Sequence, residues 1–434
     1  MARPPAPEPL LPGTEAPPPP RRLPRAGPVG VLDIGTTKIV CLIGRAESDG
    51  TLRVLGYGWH RSQGVRTGSI ADLAEAERAI RAAVGQAEDM ADLRLRAVTV
   101  NLSCGEPESR LYNVQWPIGG RQVTEADIRR VVTEGRNRAA VSNEGREQIH
   151  ALALDFSADE ITGVADPRGL HCEVLAGRVH VIDAAAAPLR NLDTTIGRCD
   201  LEIAARVASP LAAGFATLVE DERALGTILV DMGGGTTSIA AFQEGNVVHT
   251  AQLRVGGVHV TNDIARILST PINHAERLKA LYGTVQGSPD DDREMLPVPM
   301  VGEAEHQIAK VPRSMVVSVI RPRLEETFEM VRDRIENAGI SHAASARVVL
   351  TGGASQLVGV PQLAQHILGR QVRLGRPFGL RGLPDAHSGP AFATAAGLLA
   401  WTAGEGRALA DIDFDNAPPR GLLRRVMGYL RDRL

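Results

Sequence analysis

The sequence predicts an α/β fold of two similar lobes with a phosphate-binding cleft between them. Two observations carry the prediction. The stretches Val31 to Lys38 and Val230 to Thr237, about two hundred residues apart, are written in nearly the same code. Each is an apolar strand that ends near an aspartate (Asp33, Asp231), turns through glycine and a pair of threonines, and enters another β-rich run. A third glycine turn, Thr351-Gly352-Gly353-Ala354-Ser355, follows a buried-type strand and precedes an apolar helical run from Val358 to Leu368. A single glycine turn after a strand is usually an ordinary loop. Three of them, two carrying the same Asp and Thr-Thr, point to one shared ligand.

Glycine reaches positive φ without strain and leaves the backbone N–H groups open to a ligand. Successive N–H groups in such a turn form an anion-binding concavity, and threonine hydroxyls add neutral donors. An aspartate beside a polyphosphate would repel it directly, so Asp33 and Asp231 are expected to hold a hydrated Mg²⁺ that bridges the phosphates. Neither stretch is a Walker loop, because G-x-x-x-x-G-K-[ST] is absent. Ile39 to Ile43 is strand-like where a Rossmann fingerprint needs a helix.

In chain order, the first hairpin opens an α/β unit with a strand at Leu52 to Tyr57, a helix at Leu73 to Asp89 and a strand at Ala97 to Leu102. The texture then changes. A helix at Glu125 to Ala139, flanked by strand-like pieces at Ile149 to Phe156 and His171 to Ile182, predicts an inserted α+β subdomain over 103–182. A helix near Ala187 to Ile196 resumes the first unit. The second hairpin opens a second unit, with helices at Thr261 to Leu268, His274 to Leu281 and Ile320 to Asn337, and an irregular acidic loop from Ser288 to Glu294. Ala391 to Ala403, short and rich in small residues, reads as a packed helix. The expected division is therefore a first lobe of 29–102 with 183–210 and 386–403, and a second lobe of 211–254 with 321–385 carrying an insertion at 255–320.

A chain of 434 residues can bury a large core and divide into domains. A net charge of −3 and 3% aromatics give no nucleic-acid footprint. Four cysteines show neither metal-ligand spacing nor a disulfide framework, which suits a reducing cytoplasm. Residues 1–28 hold eleven prolines and no apolar core, so they read as a disordered arm rather than a signal peptide. No apolar run is long enough to span a bilayer.

The C-terminus has its own chemistry. After a polar linker, 404–421, the segment 422–434 places Leu422, Leu423, Val426, Met427 and Leu430 on one helical face, with Arg424 and Arg431 on the other and Arg425 adding to the charge. Five arginines lie between Arg420 and Arg433, against one acid. A terminal helix docked on the protein's own core would show a similar apolar face. The linker and the arginine density favour a helix lying on an anionic membrane surface. Burying an aliphatic side chain contributes roughly 1.5–3 kcal/mol and an arginine near anionic lipid about 1 kcal/mol. Ordering each residue costs roughly 1–2 kcal/mol, so one copy binds reversibly and firm attachment needs several copies on one scaffold.

These motifs resemble the actin-like ATP-binding superfamily, a duplicated RNase H-like fold, and within it the FtsA family of bacterial cell-division proteins. The resemblance covers roughly residues 29–434. It assigns the first phosphate motif to Asp33, Gly35, Thr36, Thr37 and Lys38, and the second to Asp231, Gly233, Gly234, Gly235, Thr236 and Thr237. The adenosine motif falls on Gly352, Gly353 and Ser355. Ala275 to Lys279 resembles the superfamily helix whose Glu and Lys reach the ribose and adenine, which nominates Glu276 and Lys279; an i,i+3 surface pair has the same spacing. The inserted 103–182 subdomain and the basic amphipathic tail point to the FtsA family.

The resemblance implies a protein that binds ATP and Mg²⁺, self-associates into filaments and anchors FtsZ filaments to the cytoplasmic face of the inner membrane at the division septum, recruiting later division proteins. The FtsZ C-terminal peptide would dock on 255–320. Relatives on this fold that hydrolyse or transfer phosphate carry a Gln, Glu or Asp on the strand before the Pro/Ala-rich helix, where this chain has Ser209 in Val207-Ala208-Ser209-Pro210-Leu211-Ala212. A serine hydroxyl is no base at neutral pH, so slow hydrolysis or none is expected, with ATP as a structural ligand. A PilM-type pilus-assembly adaptor, or a small-molecule kinase on the same fold, are the alternatives.

Overall fold

A computed structural model of the chain describes residues 27–47, 50–142, 145–302, 308–340 and 347–403. The Pro-rich arm up to residue 26, the linker 404–421 and the amphipathic segment 422–434 lie outside the described residues.

Two sheets share one plan. In the first, the hairpin of Val29–Ile34 and Lys38–Ala46 continues antiparallel into Leu52–Arg61 on one side; Ala97–Leu102 and Glu202–Ala208 follow in parallel on the other. In the second, the hairpin of Thr227–Met232 and Thr237–Gln243 continues into Asn246–Leu253, and Arg347–Thr351 and Gln371–Leu374 follow in parallel. Parallel neighbours need crossovers. Helices Leu73–Ala91 and Ala186–Arg198 supply them in the first lobe, and Arg313–Asn337 and Val360–Leu368 in the second.

Two helices join the lobes, Ser209–Thr217 and Ala393–Ala403. Both are rich in alanine and apolar all round, the composition of a helix surrounded by protein, and every residue of Ser209–Thr217 is buried. They approach closely at Gly397, where a Cβ would stand 1.7 Å from the Ala212 carbonyl oxygen. Alanine there would push the two helices apart.

The insertion is a separate four-stranded sheet, ordered Glu108–Pro117, Val174–Ala185, Arg146–Ala158, Ile161–Val164, with helix Glu125–Ser142 packed against it. Val114, Val131, Leu175 and Val179, all fully buried, fill its own core. Asp127 is buried beneath Arg121, which grips it with two nitrogens at 2.6 and 2.7 Å, while the Thr124 N–H and hydroxyl also donate to it. The insertion bridges to the second lobe: Thr250 N–H donates to Ser109 Oγ (2.9 Å), Ser109 Oγ donates back to the Thr250 carbonyl (3.1 Å), and Asn246 Nδ2 donates to the Leu154 carbonyl (2.9 Å).

Three expectations need correcting. The acidic loop from Ser288 to Glu294 is not irregular: Pro289–Asp292 is a 3₁₀ turn capped by Ser288, with Asp291 buried and paired to Arg313 at 3.2 Å. The helix expected from Ile320 begins at Arg313 and accommodates Pro322 inside it. Leu380–Arg381, expected in the second lobe, instead pairs in parallel with Leu52 and Arg53 of the first sheet. Two residues carry no readable period, so sequence reasoning could not see that strand.

Candidate functional site

Gly35 N–H donates to the Lys38 carbonyl (3.0 Å), and Gly233 N–H donates to the Thr236 carbonyl (2.9 Å), so the two hairpins close with the same turn. Asp33 stands opposite Val40 and Asp231 opposite Ser238, each one residue before the strand's last pair. Counting from the aspartates, Thr36-Thr37 of the first turn corresponds to Gly234-Gly235 of the second, and Lys38 to Thr236. The threonine pairs that look alike in sequence are therefore out of step. Thr237, matching Ile39, is a strand residue whose hydroxyl donates to the Val255 carbonyl (2.8 Å) in the core. It does not reach the ligand space, which corrects its assignment.

The turns meet over a cavity of about 410 Å³ between the lobes. Asp33, Gly35, Thr36, Thr37 and Lys38 line it from one side and Asp231, Gly233, Gly234, Gly235 and Thr236 from the other. Gly352 and Gly353 of the third turn, and Glu276 and Lys279, complete the wall. Ser355 does not: it is fully buried and its hydroxyl donates to the Gly352 carbonyl (2.7 Å), holding the turn rather than facing the cavity. Gly352 has φ +84°, and a Cβ on it would stand 2.4 Å from Asp231 Oδ1, so the third turn is packed directly onto the second aspartate.

Charge is concentrated at the cavity floor. Burial pushes the Asp33 carboxyl up to about 7 against the opposing pull of Lys38, with Asp231 adding repulsion. Burial likewise raises Asp231 to about 6, moderated by Thr394, whose hydroxyl donates to Oδ2 at 3.0 Å, and by Lys38. Burial lowers the Lys38 ammonium, which donates to the Ala391 carbonyl and sits 4.6 Å from the centre of the Phe392 ring. The floor thus brings two buried carboxyls and one buried ammonium together, and burial disfavours the charged form of each.

Glu276 and Lys279 form an ion pair of 2.7 Å on the wall, so the surface-pair geometry and the cavity placement hold together. Lys279 Nζ also donates to the Gly257 carbonyl (3.0 Å) and Thr261 Oγ1 (2.8 Å), and Thr261 donates to Glu276. Ser209 lies at the N-terminus of the connecting helix and lines the cavity. Its hydroxyl is committed, donating to the Leu102 carbonyl (2.9 Å) and accepting from Asn101 Nδ2 (3.3 Å). Asn101 in turn accepts from the Ile34 N–H at 2.7 Å, fixing the end of the first strand. Asn101 and Thr394 escaped sequence reasoning, since neither sits in a glycine turn; only the strand and helix ends they occupy could have pointed to them.

The family model for cell division protein FtsA matches residues 228–397, and that for the SHS2 domain inserted in FtsA matches residues 105–183. Cell division protein FtsA of Rhizobium meliloti (strain 1021) is 43% identical over 386 residues, covering 86% of this chain and 87% of that one. The chain belongs to the FtsA family of cell-division proteins. FtsA of Escherichia coli (strain K12) is 33% identical over 379 residues, covering 85% of this chain and 88% of its own. Among solved structures, the PilM-PilN type IV pilus biogenesis complex superposes with a TM-score of 0.63 at 18% identity, over 88% of this chain and 99% of that one. MreB5 of Spiroplasma citri bound to ADP gives 0.53 at 14% identity, over 91% and 100%. These likenesses establish the actin-like fold. FtsA membership sets the PilM and kinase alternatives aside, and the 105–183 match places the FtsA-type insertion where the sequence predicts it.

Proposed function

We propose that the chain binds Mg-ATP in the cleft, self-associates as an actin-like filament and anchors FtsZ filaments to the cytoplasmic face of the inner membrane at the septum. The observation that carries the reading is the convergence of two aspartate-ended hairpins and the third glycine turn on one cavity. Asp33 and Asp231 would hold the metal. Among the described residues no group of three His, Cys, Asp or Glu could cage an ion, which suits Mg²⁺ retained mainly by waters and phosphate oxygens. The bound metal neutralises phosphate charge. The N–H groups of the two turns and the Thr36, Thr37 and Thr236 side chains would orient the phosphates, and Glu276, Lys279, Gly352 and Gly353 the nucleoside.

Ser209 offers no base, so ATP acts here as a ligand that holds the lobes together. The FtsZ C-terminal peptide would dock on 255–320. Exposed Ile267, Ile272, Leu281, Met295 and Ile308 in this region support a recognition surface. Attachment to anionic lipid would come from the amphipathic segment bearing Leu422, Leu423, Val426, Met427 and Leu430, and other division proteins would be recruited to the resulting filament. Asp231→Ala should abolish Mg-ATP binding by calorimetry while lipid co-sedimentation persists; Leu423→Glu should do the reverse. Nucleotide binding unchanged in Asp231→Ala would overturn the cleft assignment.

A further inference from the structure

At the floor of the cleft the lobes are tied by Thr394, which donates to Asp231, and by the Gly352 N–H, which donates to the Pro390 carbonyl at 3.1 Å. A further contact between the lobes lies outside the cavity. Arg61 Nη2 donates to Asn273 Oδ1 at 3.1 Å, joining residues 212 apart in the chain. Both ends of this bridge are tied to the cavity walls. Arg61 is the last residue of strand Leu52–Arg61 and stands opposite Lys38, the residue that leaves the first phosphate turn. The next N–H, that of Ser62, donates to the Thr37 carbonyl (3.0 Å), which pins the arginine to that turn. Asn273 lies in the first turn of helix Ile272–Tyr282, which buried Ala275 and Leu278 seat on the second lobe. Glu276 and Ala280 follow Asn273 on the same helical face, three and seven residues on, and line the cavity. Neither Arg61 nor Asn273 lines it, and both are exposed, so the bridge crosses at the solvent edge of the cleft.

The chemistry of the bridge makes it reversible. An arginine facing a carboxylate gains charge pairing and often a second, parallel hydrogen bond; here the partner is a neutral amide. A cation also gains nothing from the N-terminus of a helix, where the partial charge is positive. Because both side chains already meet water, the bridge can break without baring apolar surface, unlike the buried contacts at the floor.

We infer that Arg61 and Asn273 form a latch across the mouth of the cleft that sets how fast nucleotide enters and leaves. The inference rests on the reading of the cleft as the Mg-ATP site. Exchange of a ligand held between two lobes requires them to part, and parting on this side breaks the bridge. The latch joins the walls without touching the ligand space. It therefore slows capture and release alike and leaves affinity nearly unchanged, which separates it from a contact with the nucleotide.

The test is stopped-flow fluorescence of the full chain with methylanthraniloyl-ATP and Mg²⁺, followed by a chase with unlabelled ATP. A hydrogen bond of this kind is worth about fivefold in an equilibrium constant. Arg61→Ala and Asn273→Ala should each speed association and release by about fivefold and hold the dissociation constant within about twofold. The double variant should be no faster than either single one. Asn273→Asp gives Arg61 a charged partner and should slow both rates by about threefold at low salt. That slowing should fade at high salt and vanish when Arg61 is alanine. If release is unchanged in both alanine variants, the bridge is not a latch. If release quickens while association does not, Arg61 acts on the nucleotide itself and the latch is likewise overturned. A parent that captures no nucleotide overturns the cleft reading, and the latch with it.

Discussion

The Thr37 side chain occupies the space beside Gly234: a Cβ on that glycine would stand 2.4 Å from Thr37 Cγ2. Gly235 is equally tight, with a Cβ 2.5 Å from Thr36 Oγ1 and 2.8 Å from the Thr67 Cα. The two turns thus touch across the cleft, side chains from the first lobe against bare backbone from the second. Gly234→Val should hold the lobes apart and weaken nucleotide binding by about tenfold or more, with little effect on melting. Adding Thr37→Ser, which removes the crowding Cγ2 and keeps the hydroxyl, should restore much of the loss; a double-mutant cycle by calorimetry checks the coupling. Additive losses would mean that the contact does not govern closure.

The floor carboxyls predict a pH dependence. Burial raises Asp33 to about 7 and Asp231 to about 6, above their unfolded values. The folded state therefore binds more protons than the unfolded one between roughly pH 4 and 7, and stability falls as pH rises through that window. Nucleotide-free protein should melt a few degrees higher at pH 5.5 than at pH 7.5, and Asp33→Asn should flatten the difference. Calorimetry in buffers of different ionisation enthalpy should also show protons released when Mg-ATP binds, because the metal favours the ionised carboxylates.

Hydrolysis should be slow. The Ser209 hydroxyl donates to the Leu102 carbonyl and accepts from Asn101, and neither a carbonyl nor an amide is a base that could activate water. Phosphate release should stay below about one per second, under the ordinary enzyme range. A faster rate would require a base that the cavity wall does not present at this position.

In the insertion, two Arg121 nitrogens hold Asp127 well below the usual carboxylate range, the Thr124 hydroxyl and N–H adding to the effect against the cost of burial. Its contribution is present above the unfolded carboxylate range and is lost on acidification. Because Arg121 is about half exposed (47%), solvent screens the pair. Asp127→Ala should cost about 2 kcal/mol, read by urea denaturation of the full chain, and should make the protein less acid-sensitive than the parent.

Much of this molecule is legible in the sequence because strand–turn–strand chemistry is local. The strand Ala97–Leu102 begins and ends where its apolar run does, and both aspartate turns are visible from glycine spacing alone. Helix starts were less readable. Gly257–Ile267 begins four residues before the expected Thr261, because its first N–H groups donate to the Gly233 and Gly234 carbonyls of the second turn, a partnership formed only on folding. Thr237 and Ser355 share that cause: residue type suggested donors for a ligand, while tertiary structure spends their hydroxyls on Val255 and Gly352. Asn101 and Thr394 went unseen because they act on neighbours far away in the chain.

The unequal turns also say something about ancestry and wear. Two faithful copies of a threonine-bearing loop would collide where these meet, and two glycine loops would leave a gap for water. Divergence of the halves is thus a condition of their meshing, and a repair of the apparent mismatch toward symmetry, by giving the second loop the side chains of the first, should jam the joint rather than strengthen it.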